Sequence, residues 1–359
     1  MKPAECRSLC LDITTWVRGP TTAVGLCALR MTVEIAKLAS EFSLALEIFS
    51  REAITRERRQ ALLQKIPDGV KLSWAPRWRR WCAKHSGQIY VSFDHRSSPV
   101  RGSRRVIVVH DAWTLRQNPW QSETFARRQR PKILTAIAQA DMIFCPSEVV
   151  AEEVRVFGRK ATARVHVLPW ASMIDVSEAP EPKFTSRNLA MVATLDPRKN
   201  HALAHRLATE MGPEWRWVFV GAPGFRAEDS LRCVSDLRER GYRVQQLAHL
   251  AVSEVAAIYR EAFAVLCPSF EEGFGLTVLE GLTLGRPVWA SRTRTHQEVG
   301  AEAVNYFDPL GSDIETLARD IKALSQNESE YRERIARGRR RAADFEWGRT
   351  ARRFLELVG

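Results

Sequence analysis

Glu272 and Glu280 stand eight positions apart in the segment Pro268-Ser-Phe-Glu-Glu-Gly-Phe-Gly-Leu-Thr-Val-Leu-Glu280, with two glycines, Gly273 and Gly275, between them. The segment follows a short apolar run and passes through the glycines into a helical stretch that ends near Gly285. Glycines at such a turn let backbone N–H groups approach a phosphate closely, and the helix dipole favours negative charge there. Gly273, Phe274, Gly275 and Leu276 therefore read as a phosphate cradle. Carboxylates accept hydrogen bonds from hydroxyls. Two acids beside an anion cradle suit a ligand that is both a polyol and a phosphate. The other reading of these residues is a solvated Glu280 on a helix surface and an ordinary turn at the glycines.

A second segment, Met191-Val-Ala-Thr-Leu-Asp-Pro-Arg-Lys-Asn-His201, also follows a strand pattern and opens a helix. Arg198 offers a planar fork and Lys199 a compact charge, a pair suited to neutralising a leaving diphosphate. The alternative here is an exposed basic helix start.

The elements that must position these residues are short β-rich runs alternating with amphipathic helical stretches, the pattern of parallel sheets with crossover helices. Candidate strands are Val106 to Val109, Met142 to Cys145, Val165 to Leu168, Leu189 to Val192, Trp217 to Val220 and Ala264 to Leu266. Ser147 is placed to cap a helix running through Val154 to Phe157 and stopping at Gly158. The polar stretch from Val176 to Arg187 holds two prolines and marks an exposed linker. A charged helical stretch spans Glu330 to Ala343, and an amphipathic segment through Phe354 and Leu357 follows Trp347 and needs a surface to dock on.

The 359 residues allow two domains, each with its own core, and a composition with 45% hydrophobic and 27% charged residues is that of a globular protein. No apolar run approaches the ~20 residues of a spanning helix. Glu5, Arg7 and Asp12 interrupt the apolar core that a signal peptide requires, so a cytoplasmic protein is expected. Seven cysteines without a CxxC pair suit reduced thiols better than a disulfide framework or a metal site. The net charge of +12 is unevenly placed. Residues 1–175 hold 28 Lys+Arg against 16 Asp+Glu, and residues 176–359 hold 26 of each, so the first half carries the whole excess. An anionic partner for that half is implied.

Taken together and in this order, the two loop segments resemble those of the retaining glycosyltransferases of family four. Glu272 and Glu280 reproduce that family's Glu-x7-Glu pair, Glu-Gly-Phe-Gly-Leu is its usual wording, and Asp196 to Asn200 matches its phosphate-binding turn. Arg18-Gly-Pro-Thr-Thr-Ala-Val-Gly25 looks like the glycine-bearing loop after the first strand, and Val109-His-Asp-Ala-Trp113 like the His-Asp loop facing the donor. Ala140 to Ser147 is similar to the segment that precedes the crossing into the second domain. The resemblance implies an α/β protein of the GT-B fold, two Rossmann-like domains with a cleft between them. The domains would be 1–178 on the acceptor side and 187–338 for the nucleotide sugar, with 339–359 a last helix returning to the first domain.

By resemblance, Arg198 and Lys199 bind the donor diphosphate, Glu280 holds the ribose hydroxyls, Glu272 contacts the transferred sugar, and His110 approaches that sugar from the other domain. The alternative for His110 is a histidine bonded to a neighbouring backbone group. Gly25 joins the donor site by the same comparison, and the loop Leu247-Ala-His-Leu250, with His249 and Leu250, lies near the base. Thr277 stands where relatives more often carry proline, and Thr194 near a position where many carry glycine or arginine. No Asp-x-Asp occurs, so the carboxylate pair that holds a divalent metal in another glycosyltransferase class is absent. No metal and no cofactor are expected beyond a GDP- or UDP-linked sugar co-substrate. A glycoside phosphorylase of the same fold and a non-catalytic binder of nucleic acid or anionic membrane are the competing readings. The phosphorylase would need its own phosphate site or a cofactor-attachment lysine, for which there is no signature, the binder leaves the paired glutamates unexplained, and no nucleic-acid partner is expected.

Lys71-Leu-Ser-Trp-Ala-Pro-Arg-Trp-Arg-Arg-Trp81 places three tryptophans among four cations in the basic half. Indole rings favour headgroup depth, and Lys and Arg meet anionic lipid. The expectation is a glycan or polyprenyl-diphosphate-linked acceptor of bacterial surface polysaccharide synthesis. Mannose would be the sugar, and the enzyme would sit peripherally on the inner face of the plasma membrane. The alternative is a charged turn whose tryptophans pack inward.

Overall fold

The structure, a computed structural model, describes residues 8–18, 22–74, 88–95, 103–158, 164–175 and 183–359. The chain divides into two compact units. One comprises the described residues up to Asn118, Ser122–Ala171 and Glu346–Gly359, and the other comprises Pro119–Gln121 and Ser172–Phe345. The linker stretch 176–182 and residues 75–81 of the tryptophan-rich segment lie outside the described residues.

In the first unit β1 (Ser8–Asp12), α1 (Thr14–Val17) and α2 (Ala23–Leu38) are followed by β2 (Ala45–Ser50), α3 (Arg56–Leu63), β3 (Lys71–Trp74) and β4 (Ile89–Ser92). Then come β5 (Arg104–Val108), α4 (Glu123–Gln139), β6 (Met142–Cys145), α5 (Glu148–Phe157) and β7 (Arg164–Val167). Among the described residues the seven strands form one parallel sheet in the order β3-β2-β1-β4-β5-β6-β7. β4 and β6 are buried along their whole length, as expected of central parallel strands covered on both faces. Thr22, Thr55, Ser122 and Ser147 each accept a backbone N–H at the start of α2, α3, α4 and α5. These caps satisfy donors that a helix N-terminus otherwise leaves open.

The second unit contains β8 (Asn188–Val192), α6 (His201–Met211), β9 (Arg216–Val220), α7 (Glu228–Glu239), β10 (Arg243–Leu247), α8 (Val252–Glu261) and β11 (Ala264–Cys267). It continues through α9 (Leu276–Thr283), β12 (Val288–Ser291), α10 (Arg294–Gly300), β13 (Asn305–Phe307), α11 (Ile314–Leu324) and α12 (Glu328–Ala342). The six described strands are parallel in the order β10-β9-β8-β11-β12-β13. On one side of this sheet, Met191, Trp217 and Phe219 pack with Leu203, Leu207 and Met211 of α6 and Leu317 and Ile321 of α11. Counted within the unit, the strand order is 3-2-1-4-5-6. Its direction reverses between β8 and β11, and ligands of open α/β sheets bind at the carboxyl ends of the strands at such a reversal. Both loop segments singled out in the sequence leave from these two strands.

The chain ends in α13 (Trp347–Val358), which belongs to the first unit. A domain border between 338 and 339 would cut α12, whereas the division between units falls after Phe345 in the short connection to α13. α13 turns Trp347, Ala351, Phe354, Leu355 and Val358 inward and packs along α2. Phe354 meets Phe144 of β6 with ring centroids 5.0 Å apart, and Trp347 stacks on Trp170 at 5.7 Å. Each fully buried side chain of this kind contributes ~1.5–3 kcal/mol, so the helix is a built-in part of the first unit.

Candidate active site

The loop after β8 runs through Thr194 and Asp196 into a 3-10 turn, Pro197–Lys199, and then Asn200. Asn200 adopts the left-handed conformation (φ 59°, ψ 48°), which asparagine tolerates better than most residues. Its side-chain oxygen caps α6 by accepting from Leu203 N at 3.2 Å, and its amide donates to the carbonyls of Pro268 at 3.1 Å and Pro309 at 2.8 Å. One residue therefore closes the turn, starts the helix and ties it to the loop after β11. The carbonyl of Arg198 also accepts from Phe270 N at 2.9 Å.

Across this seam Lys199 Nζ lies 2.6 Å from Glu272 Oε1, and Arg198 Nη1 lies 3.3 Å from Glu272 Oε2. Arg198 Nη1 donates as well to the carbonyl of Glu271 at 2.6 Å. The three side chains are only 14–18% exposed, so water screens their charges weakly. Burial alone would raise the Glu272 carboxyl, but the adjacent Lys199 and Arg198 hold it well below the usual carboxylate range. Asp196 shifts the other way, with burial outweighing the same two cations.

Gly275 has φ +98°, a conformation that side chains other than glycine resist, and it caps α9. A Cβ on Gly275 would also come within 3.3 Å of the His296 ring. Phe274 is buried, while Glu272, Gly273, Leu276 and Glu280 are partly exposed along the turn and the first face of the helix. Glu280 receives a hydrogen bond from the Tyr259 hydroxyl at 3.1 Å. Burial pushes its carboxyl up to about 7, against the opposing effect of that bond. His249 is exposed and left-handed (φ 58°), and Leu250 is half-buried, both between β10 and α8.

The two remaining sequence-derived residues belong to the first unit. His110 is half-buried after β5, and its Nε2 lies 2.8 Å from the carbonyl of Phe93. A carbonyl only accepts, so the proton sits on Nε2 and the neutral ring keeps Nδ1 as an acceptor. Burial lowers the His110 pKa, favouring that neutral form. The ring also packs on Trp170, with centroids 5.5 Å apart. Gly25 lies inside the first turn of α2, not in a loop, and donates its N–H to Thr22 Oγ1 at 3.1 Å. Its missing side chain lets α2 approach α1, since a Cβ would lie 3.1 Å from the Thr15 carbonyl. Residues 19–21 of that segment lie outside the described residues.

The structure adds residues to which the sequence reading gave no part in the site. Thr295 Oγ1 donates to the carbonyl of Glu272 at 3.0 Å, and His296 Nδ1 stands 2.9 Å from the carbonyl of Ser291. Thr277 Oγ1 donates to the carbonyl of Val192 at 3.1 Å. Gly221 and Gly224, after β9, lie against the loop after β8. A Cβ on Gly221 would fall 2.0 Å from the Ala193 carbonyl, and one on Gly224 would fall 2.6 Å from Thr194 Cγ2. The Gly-x-x-Gly spacing after the Trp217 strand was the available signal for these two. The others converge only once the parallel sheet is assembled. Among the described residues, no three His, Cys, Asp or Glu side chains stand together as a metal site.

This arrangement presents two cations, a glycine turn at a helix N-terminus and two carboxylates of opposite protonation tendency at one end of one sheet. Residues 175–341 match the family described as "Glycosyl transferases group 1". The chain is 26% identical to O-antigen chain mannosyltransferase B of Escherichia coli over 309 residues, 81% of this chain and 78% of that protein. It is 25% identical over 263 residues to the serotype-specific mannosyltransferase WbdA of Escherichia coli, but spans only 32% of that longer protein. Over 167 residues it is 31% identical to D-inositol 3-phosphate glycosyltransferase of Corynebacterium urealyticum, covering 44% of this chain and 39% of that one. Among solved structures, Anabaena HepE in complex with UDP and glucose superposes with a TM-score of 0.72 at 14% identity, covering 98% of this chain and 99% of HepE. Sucrose-phosphate synthase from Thermosynechococcus elongatus gives 0.69 at 14% identity, with 98% of each chain covered. At these identities the structural likeness speaks for the fold.

Proposed function

We propose that this chain, a GT-B glycosyltransferase similar to those of family four, transfers a mannose-type sugar from a GDP- or UDP-linked donor, with retention, to a hydroxyl of a glycan or lipid-linked glycan in bacterial surface polysaccharide synthesis. The observation that carries this reading is the pinning of Glu272 between Arg198 and Lys199 beside the Gly273–Gly275 turn. An arriving diphosphate competes for both cations, and the N-terminus of α9 adds its dipole. Glu272 is then available to accept hydrogen bonds from the sugar hydroxyls, and Glu280 from the ribose. His110, with Nδ1 as its acceptor, is assigned a hydroxyl of the transferred sugar.

In the proposed step the acceptor oxygen forms a bond to the anomeric carbon as the bond from that carbon to the diphosphate oxygen breaks. The acceptor's proton passes to the leaving phosphate on the same face. No side chain is nominated as a covalent nucleophile. The protein contributes positioning and fixed charge where the diphosphate gains negative charge, with Arg198, Lys199 and backbone dipoles in place of a metal. The mannosyltransferase relatives support the sugar and the polysaccharide setting. The basic first half supports an anionic, membrane-borne acceptor, with Lys71 to Trp81 as the membrane-facing segment.

The test is to incubate the protein with GDP-mannose and with UDP-sugars, plus a polyprenyl-diphosphate-linked glycan, and to follow nucleotide release and product mass. An NMR spectrum of the product reads the new anomeric centre. Release of GDP with a mannosylated product of unchanged anomeric configuration is expected. No turnover with any donor, or an inverted product, overturns the reading.

A further inference from the structure

Glu280 is not held by its own helix alone. The Tyr259 side chain on α8 is fully buried, and its hydroxyl ends 3.1 Å from Glu280 Oε2. Thr277, one turn before Glu280 on α9, donates its one hydroxyl proton to the carbonyl of Val192, the last residue of β8, and its hydroxyl stands beside that of Tyr259. The three side chains thus link α8 and α9 to the strand whose following loop carries Arg198 and Lys199.

A buried phenol must direct its hydrogen bond at a partner. Here the acceptor is one oxygen of a carboxylate, so the bond fixes the carboxylate's rotation and leaves Oε1 unengaged by the tyrosine. A threonine at 277 supplies the hydroxyl that reaches Tyr259 and the strand end, which a proline there could not.

We propose that Tyr259, backed by Thr277, is a positioning residue that aims the Glu280 carboxylate at the ribose and so makes the enzyme select ribonucleotide over deoxyribonucleotide donors. The inference rests on the reading of Glu280 as the ribose ligand. Its physical basis is that a site built to bond a hydroxyl rejects a ligand lacking it, through the desolvated partner left unmatched. That rejection weakens when the partner is free to turn away. The hydrogen bond from Tyr259 also favours the ionised carboxylate, the stronger acceptor. The titratable groups facing Glu280 are Tyr259 on α8 and Cys267 at the end of β11.

The experiment measures binding of UDP and GDP and of their 2′,3′-dideoxy counterparts by calorimetry, for wild type, Glu280→Gln, Tyr259→Phe and Thr277→Val. Wild type should prefer whichever ribonucleotide it binds by ~10- to 100-fold over the dideoxy form, the range of a hydrogen bond to a charged group. Tyr259→Phe should cut that ratio about fivefold or more, chiefly by weakening the ribonucleotide, and Thr277→Val should cut it by a smaller factor. In Tyr259→Phe the preference should also reappear only at higher pH than in wild type, a change that loosened packing would not produce. An unchanged ratio in Tyr259→Phe with a reduced ratio in Glu280→Gln overturns the proposal and leaves the ribose assignment standing. A wild type indifferent to the ribose hydroxyls overturns the assignment and the proposal together. Should Tyr259→Phe fail to fold, an unchanged ratio and pH profile in Thr277→Val overturns the proposal.

Discussion

Lys199 and Glu272 form an ion pair, Nζ to Oε1 at 2.6 Å, that joins the loop after β8 to the loop after β11. The lysine charge is thus partnered within the protein, and the role proposed for Lys199 requires it to exchange a carboxylate for a diphosphate when donor binds. The pair fixes the cation beside Glu272 and keeps Glu272 ionised.

Removing one end of this clamp, or the ribose carboxylate, should cripple turnover while leaving the protein folded. Lys199→Ala and Glu280→Gln are each expected to lose ~10²-fold or more in kcat/KM, a cost of about 2.7 kcal/mol in transition-state stabilisation. Steady-state kinetics with circular dichroism as a fold control checks this. Near-normal kinetics in both folded variants would remove these residues from the site.

Charge neutralisation is assigned to Arg198, Lys199 and the N-terminus of α9. Activity should therefore persist in excess EDTA. Loss of turnover on chelation, with recovery on adding Mg²⁺ or Mn²⁺, contradicts that assignment.

Glu280 gives a stability signature of the opposite sign to Glu272. Its folded pKa is raised from the ordinary 4.5 to about 7. Its neutral form therefore contributes stability that is fully present below pH 4.5 and lost as pH rises through 7. Glutamine keeps the neutral state at every pH. Glu280→Gln should thus melt above wild type at pH 8, by an amount corresponding to roughly 1–3 kcal/mol, with the gap closing by pH 5. Glu272 is depressed, so its contribution is present above 4.5 and disappears only as pH falls into strong acid. Thermal melts of both proteins across this range decide the matter, and a gap that does not depend on pH contradicts the buried carboxylate.

The membrane role proposed for Lys71 to Trp81 predicts salt-sensitive attachment. Each cation near an anionic surface adds ~1 kcal/mol. Wild type should co-sediment with anionic liposomes at low salt and release at high salt, whereas Trp78→Ser/Arg79→Ser/Arg80→Ser/Trp81→Ser should stay in solution. Wild type that ignores the liposomes, or a quadruple variant that binds them equally, shows the segment has another use.

Much of the second unit can be read from its residues alone. Leu189 to Val192, Trp217 to Val220 and Ala264 to Leu266 are apolar runs of strand length, and they correspond to β8, β9 and β11. β10 (Arg-Val-Gln-Gln-Leu) hides because an edge strand is only half covered and carries polar side chains. β13 (Asn-Tyr-Phe) hides because it has no apolar run, and β12 (Val-Trp-Ala-Ser) went unmarked although it is as short and as buried as β11. In the first unit Ser8 and Asp12 bound the short apolar run of β1, Glu47 interrupts that of β2, β3 is an edge strand carrying Lys71 and Ser73, and β4 (Ile-Tyr-Val-Ser) went unmarked although it is fully buried. At the site, Arg198, Lys199, Glu272 and Glu280 announce themselves by local wording. Thr295 and His296 do not, because their relation to Glu272 and Gly275 exists only when α10 is carried beside α9 by the sheet. Gly25 shows the limit from the other side. A glycine in a loop-like phrase proves to be a helix residue whose value is its missing Cβ.

The place of α13 bears on how the chain is made. The strands of the first unit are synthesised before the second unit, yet the first lacks the helix that packs on α2 and on Phe144 until residues 346–359 have been added. The second unit, by contrast, is contiguous from Ser172 to Phe345 apart from Pro119–Gln121, so its sheet can assemble while the first still shows a bare apolar face. Cutting the chain before Glu346 would therefore damage the unit that was synthesised earlier, not the one just completed.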